Sequence, residues 1–96
     1  MTNEEIIQQG GNDVVAMLWD NNQGFIRKQA YRRSCRHEGV EFEDLVQCGF
    51  LAVADAAEHY NPTSGAFITA LSVYLKKHLV CRVIWVEQGA MAAGKG

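Results

Sequence analysis

The chain has 96 residues, of which 48% are hydrophobic and 21% charged, and a formal net charge of −2. That length holds one small domain with one modest core, and the composition is that of a globular chain rather than a disordered one. A near-neutral balance excludes a wholesale basic coat for nucleic acid, and no apolar run reaches the ~18 residues of a membrane span.

The N-terminal Met1-Thr2-Asn3-Glu4-Glu5 is acidic rather than signal-like, which points to a cytoplasmic protein with no membrane partner. Thr2 to Glu5 fits a capping box, with Thr2 as the cap and Glu5 reaching back. The short helix it opens should stop at Gly10-Gly11. Asn12 suits the cap of the next helix and Asp13 its first turn, so a helix is expected from Asp13 to Arg36. Its buried stripe should hold Val14/Val15, Leu18, Phe25/Ile26 and Ala30. Gly24 inside it marks a close approach or a kink. Gly39, in the left-handed conformation, should end the segment.

A central helix follows from Phe42 to Tyr60. Phe42, Val46, Gly49/Phe50, Val53, Ala57 and Tyr60 fall on the stripe expected to face the core. The opposite stripe carries Asp44, Gln47, Cys48, Leu51, Asp55 and Glu58. It reads either as a solvated face with one stray leucine or as a docking surface for a basic partner. Asn61-Pro62-Thr63-Ser64-Gly65 is a turn, since Pro62 blocks continuation of the helix. The last helix should begin near Ala66 and bury Ile68, Leu71, Leu75, Leu79, Val83 and Val86. Its outward face would hold Ala70, Val73, Tyr74, Lys77 and Cys81. The β-branched and aromatic Val83-Ile84-Trp85-Val86 would suit a strand, but the apolar stripe runs through it and keeps it helical. Residues 89–96 form a Gly/Ala-rich tail expected to be disordered. The expected fold is all-α: a compact bundle of three main helices with a short N-terminal one, domain 1–88 followed by tail 89–96.

Several constellations carry little chemistry. Gly89 followed by Gly94-Lys95 nearly spells a phosphate-binding loop, but Gly96 stands where a Ser or Thr must hold magnesium. Cys35, Cys48 and Cys81 are odd in number and lack framework spacing, as expected of reduced thiols. Cys35, His37, Cys48 and His59 lack the paired short spacings of a zinc module, so no metal or cofactor is expected. Ser34, Ser64 and Ser72 have no base–acid setting, and the reading is not an enzyme. Lys28, Arg32 and Arg36 line one helix edge, with Arg33 beside them. They fit either a phosphate-binding edge or a solvated helix end.

The segment Glu41-Phe42-Glu43-Asp44-Leu45-Val46-Gln47-Cys48-Gly49-Phe50, continued by Ala56-Ala57-Glu58-His59-Tyr60-Asn61-Pro62, resembles region 2 of bacterial RNA polymerase sigma factors. The resemblance extends back to Leu18-Trp19-Asp20-Asn21-Asn22-Gln23-Gly24-Phe25-Ile26 and forward through Phe67-Ile68-Thr69. It implies a transcription-initiation factor that binds core RNA polymerase through the clamp helices of the largest subunit, using Asp44, Gln47, Cys48, Leu51 and Asp55. Cys48 stands where the family has a Glu. The resemblance also implies that the last helix contacts the non-template single strand of the minus-ten promoter element, through Phe67, Thr69, Tyr74, Lys76, Lys77 and Arg82. Phe67 fits either the core or the base-binding surface. Ala70 stands where an aromatic that stacks on a flipped base is usual, and Val73-Tyr74 replaces paired tryptophans. Opening a base pair costs about a few kcal/mol, and a surface with fewer rings offsets less of it. Two alternatives follow: a polymerase-binding adaptor without promoter melting, or a helical self-association domain using Leu51, Val73 and Trp85. The chain ends without a helix-turn-helix region, which reads as either a fragment of a longer protein, the favoured reading, or a natural single-region relative.

Overall fold

The computed structural model describes residues 1–86. The Gly/Ala-rich tail and its near-match to a phosphate loop lie outside the described residues. Four helices follow one another: α1 (Asn3–Gln9), α2 (Val14–Arg36), α3 (Phe42–His59) and α4 (Phe67–Ile84), with a single 3₁₀ turn at Pro62–Ser64. The chain is an all-α bundle in which α3 packs against both α2 and α4, and α1 closes one end.

A seven-residue helix is too short to persist on propensity alone, so α1 depends on its caps and on docking. Thr2 Oγ1 accepts from the Glu5 N–H at 3.2 Å, and Glu5 Oε1 accepts from the Thr2 N–H at 2.9 Å. The bond from the Thr2 N–H first, and then the Thr2 hydroxyl, hold the Glu5 carboxyl below its ordinary range. A depressed carboxyl contributes above its unfolded-state pKa, so the box holds at neutral pH and is lost only as acid protonates Glu5. Ile6 fills the core side of α1, and Gly10 and Gly11 take positive φ to end it. Asn3 then ties α1 to α2: its Oδ1 accepts from Asn21 Nδ2 at 2.9 Å and Asn22 Nδ2 at 2.8 Å.

Helix α2 differs from expectation at three points. It starts at Val14 with Asp13 in the cap position, and the cap makes no side-chain hydrogen bond. Asn12 is therefore not the cap. Its buried positions are Leu18, Asn22, Ile26 and Ala30, while Val14, Val15 and Phe25 are half-buried. Asn22 is tolerated there because its amide also donates to the Leu18 carbonyl at 2.7 Å and accepts from Asn3 Nδ2 at 3.2 Å. Gly24 is not a close approach: nothing lies within 4 Å of where its Cβ would stand, and the helix continues through it. The close approach is at Gly49. A Cβ there would overlap Ile26 Cγ2 of α2 and lie 3.6 Å from Trp19 Cζ3. Gly39 has φ +86°, the left-handed turn expected after α2.

The buried stripe of α3 is rotated from the expected one. Leu45, Val46, Gly49, Ala52, Val53 and Ala56 are buried; Phe42, Ala57 and Tyr60 are half-buried, and Phe50 is 41% exposed. The helix touches neighbours on two sides, so its apolar arc is wider than one stripe, and small residues mark where helices come close. Phe50 meets Trp19 edge to face at 5.6 Å on the α2 side. In the turn, Asn61 Oδ1 accepts from the Thr63 N–H at 3.0 Å, and Tyr60 donates to the Gly65 carbonyl at 2.6 Å.

Helix α4 buries Phe67, Leu71, Leu75, Leu79 and Val83. Ile68 is exposed, not buried: the stripe begins one residue earlier, with Phe67, which is 0% exposed and meets Tyr60 edge to face at 5.5 Å. Trp85 keeps helical dihedrals (φ −59°, ψ −45°), so the β-branched segment 83–86 is helical and not a strand.

Candidate functional site

On α3, Asp44, Cys48, Leu51 and Asp55 recur at steps of four, three and four, with Gln47 one turn after Asp44. These spacings place all of them on one face. The stripe from residue 44 to 55 is about 16 Å long, at 1.5 Å per residue. Gln47 is exposed and Leu51 is 55% exposed, while Asp44, Cys48 and Asp55 are half-buried against α4. The face is therefore an acidic, amide-bearing edge around one large apolar side chain.

Two of its acids already have partners on α4. Arg82 Nη2 meets Asp44 Oδ2 at 3.1 Å, and His78 Nε2 meets Asp55 Oδ2 at 2.6 Å. All four side chains retain solvent access, so each pair contributes about 0–1 kcal/mol and orients its groups more than it stabilises the fold. The Arg82 guanidinium also lies 4.8 Å from the centre of the Trp85 ring.

Cys48 sits between these pairs. Burial pushes its thiol up; Arg82 pulls it part of the way back, and Asp44 adds to the rise. Cys35 and Cys81 are exposed. Alkylation depends on thiolate and access. With limiting iodoacetamide at neutral pH, Cys48 is expected to label last of the three, as read by peptide mass spectrometry. Equal labelling rates would count against its being shielded.

On α4, Thr69, Val73, Lys76 and Lys77 are exposed and recur at helical steps on one outward face. Tyr74 flanks that face on the α3 side, half-buried, with one side of its ring covered by His59 at 5.8 Å and an interplanar angle of 20°. Thr69, Ala70 and Val73 wall a cleft of about 210 Å³ against His59, Tyr60 and the 61–66 turn. Lys76 borders a second groove of about 320 Å³, between α4 and α2, where Arg33, Gln29 and Phe25 form the other wall.

The sequence-expected nucleic-acid set is thus split. Thr69, Lys76 and Lys77 share one face with Tyr74 at its flank. Phe67 is a core residue, and its ring does not reach that surface. Arg82 lies on the α3 side, held by Asp44. The α3 set, by contrast, is contiguous. His78 was missed by sequence reasoning, and His59 was weighed only as a metal ligand. His78 lies four residues before Arg82 on the same side of α4, and that spacing was the available signal. His59 follows Asp55 by one turn, and its Nδ1 lies 2.9 Å from the Asp55 carbonyl oxygen.

The described residues hold no group of three or more His, Cys, Asp or Glu side chains placed to bind a metal. No helix among them is long and apolar enough to cross a membrane.

The order of α2, the acidic edge on α3, the Asn-Pro turn and α4 has a counterpart in one known family. The model of sigma-70 region 2 matches residues 18–73, more than half of the chain. The chain belongs to the sigma-70 region 2 family. It is a sigma-factor-like region of the kind that takes part in transcription initiation, a family of initiation factors rather than of enzymes. No curated protein and no solved structure matches it. The family match begins at Leu18, so α1 and the first turn of α2 lie outside it, as does α4 beyond Val73. The acidic edge of α3 and the cleft wall of Thr69, Ala70 and Val73 lie within the sigma-like portion. Lys76, Lys77 and Arg82 lie beyond it.

Proposed function

We propose that this sigma-like domain docks on core RNA polymerase through the acidic edge of α3, against the clamp helices of the largest subunit. In this reading Asp44, Gln47 and Asp55 accept hydrogen bonds from basic groups of the clamp, and Leu51 supplies the apolar centre. Helix α4 then faces the non-template single strand of the minus-ten element. Lys76 and Lys77 meet phosphates, Thr69 meets base edges, and Tyr74 offers the ring. The domain works in the cytoplasm, where the polymerase supplies the chemistry. The observation that carries this reading is the single contiguous face formed by Asp44, Gln47, Cys48, Leu51 and Asp55 inside the family match.

A second reading, a polymerase-binding adaptor without promoter melting, is favoured by the surface of α4. Val73 is 64% exposed and carries no ring, Ala70 leaves its side of the cleft open, and Tyr74 is covered on one side by His59. Fewer free rings can offset less of the cost of unstacking a base.

Calorimetric titration of the chain with isolated clamp helices tests the docking. The wild type is expected to bind, and Asp44→Ala and Gln47→Ala each to weaken binding roughly ten-fold, the scale of one charge-assisted or buried hydrogen bond. Absence of binding by a wild type that shows full helicity by circular dichroism would falsify both readings. Docking without any affinity for minus-ten single-stranded DNA would leave the adaptor.

A further inference from the structure

Helix α4 cannot cap itself. Its N-cap residue is Ala66, which has no side-chain acceptor and makes no cap bond. An uncapped helix leaves N–H groups of its first turn without partners. Here the acceptor comes from the far end of the sequence: Glu4 Oε2 of α1 accepts from the Phe67 N–H at 2.7 Å, across 63 positions. The carboxylate also carries negative charge to the positive end of the helix dipole.

Glu4 is itself held in place. The Thr2–Glu5 box fixes the first turn of α1, Asn3 is bonded to Asn21 and Asn22, and Ile6 is buried. On the α4 side, Phe67 is locked against Tyr60, whose hydroxyl holds the Gly65 carbonyl. The bond from Glu4 therefore ties α1 to the first turn of α4, which Tyr60 joins in turn to the 61–65 segment. Thr69 and Ala70, which wall the cleft beside that turn, follow Phe67 by two and three residues.

We infer that Glu4, outside the family match, is a positioning residue for nucleic-acid engagement: by capping α4 it fixes how the first turn of that helix presents Thr69 and Ala70 to a single strand. This rests on the reading that α4 faces single-stranded DNA. It adds that the segment before residue 18 belongs to the working unit.

The test uses the full chain and a fluorescent single-stranded oligonucleotide carrying a minus-ten sequence. Glu4→Gln and Glu4→Ala remove the same charge, so any long-range electrostatic gain in DNA affinity is common to both. Only Glu4→Gln keeps an oxygen that can accept from Phe67. Glu4→Ala is expected to bind roughly five-fold more weakly than Glu4→Gln, the scale of one helix cap, and to show faster amide exchange at Phe67. Gly49→Ala serves as the structural control. It strains the α2–α3 contact at Ile26 without touching Glu4 or Phe67, and is expected to lower the urea midpoint while DNA affinity under folding conditions stays at the wild-type level.

Equal DNA affinity of Glu4→Ala and Glu4→Gln would overturn the inference, as would a loss in Gly49→Ala matching that in Glu4→Ala. If the wild type binds clamp helices but no single strand, the DNA half of the proposed function fails and this inference falls with it. Wild-type DNA binding with no difference between the two Glu4 variants removes the inference alone.

Discussion

Replacing Phe67 by alanine is expected to cost about 3–5 kcal/mol of folding stability, the range for emptying a fully buried aromatic site. The residue is 0% exposed and joins three parts of the fold: its ring starts the buried stripe of α4 and meets Tyr60 edge to face, and its backbone N–H donates to Glu4. Collapse into the vacated space is opposed by the Tyr60 hydroxyl bond to Gly65, which holds the adjoining turn. A domain of this size is stable by only roughly 5–14 kcal/mol, so the variant should be marginal at 37 °C. Urea denaturation followed by circular dichroism reads the loss. Phe67→Leu separates packing from recognition. It keeps most of the volume and should cost under about 2 kcal/mol. If the ring served only the core, this variant would hold the wild-type affinity for single-stranded DNA. A clear loss of that affinity in a well-folded Phe67→Leu would show that the ring becomes available to a base after all.

The second large effect is expected at Gly49. On helix propensity alone, Gly49→Ala inside α3 should stabilise the chain by about 1 kcal/mol. The tertiary structure reverses the sign. The added Cβ would overlap Ile26 Cγ2, a branched methyl in a side chain that is itself 0% exposed, with Trp19 on the other flank. Either α2 and α3 move apart or Ile26 leaves its rotamer, and overpacking of this kind typically costs about 1–3 kcal/mol. Gly49→Ala should therefore lower the urea midpoint, and Gly49→Val should lower it further. Ile26→Val does not remove the overlapping methyl, whereas Ile26→Ala does. The double variant Gly49→Ala with Ile26→Ala should lose less than the sum of its parts. Gly24→Ala, in open surroundings on α2, is the matched control and should be neutral or stabilising. A Gly49→Ala chain as stable as the wild type would mean that the interface relaxes without strain.

These two glycines show where the sequence could be read and where it could not. Helix existence was legible throughout, since it depends on local signals: the Thr2–Glu5 box, the Gly10-Gly11 break, the positive-φ Gly39 and the Asn61-Pro62 turn all stop or start elements by short-range chemistry. The helical reading of residues 83–86 held because an apolar stripe outweighs β propensity where the described residues offer no strand to pair with. The phase of that stripe was less secure. Ile68 was expected inside and Phe67 left open, yet the first turn of α4 rotates to bury the ring. The larger side chain gains more from burial, and Tyr60 offers it an aromatic neighbour. On α3, Phe50 stays partly in solvent while Ala52 and Ala56 are buried, because small residues let the neighbouring helices approach.

The acidic edge of α3 was written in the sequence as a set of residues on one helix face, and periodicity alone fixes such a set. What periodicity does not contain is which other helix borders that face. Only the packing of α4 on α3 brings Arg82 to Asp44, His78 to Asp55 and His59 to Tyr74. Those contacts separate Arg82 from the lysines of α4 with which sequence reasoning had grouped it. Likewise no local rule connects Glu4 with Phe67, since Ala66 gives no hint of where its helix finds an acceptor. The sequence by itself determined the four helices, their breaks and the family, because backbone propensity, capping and side-chain periodicity act over a few residues. The tertiary structure alone decided which glycine is a contact, which aromatic is core and which charges are paired. Those outcomes depend on distances between segments far apart in the chain.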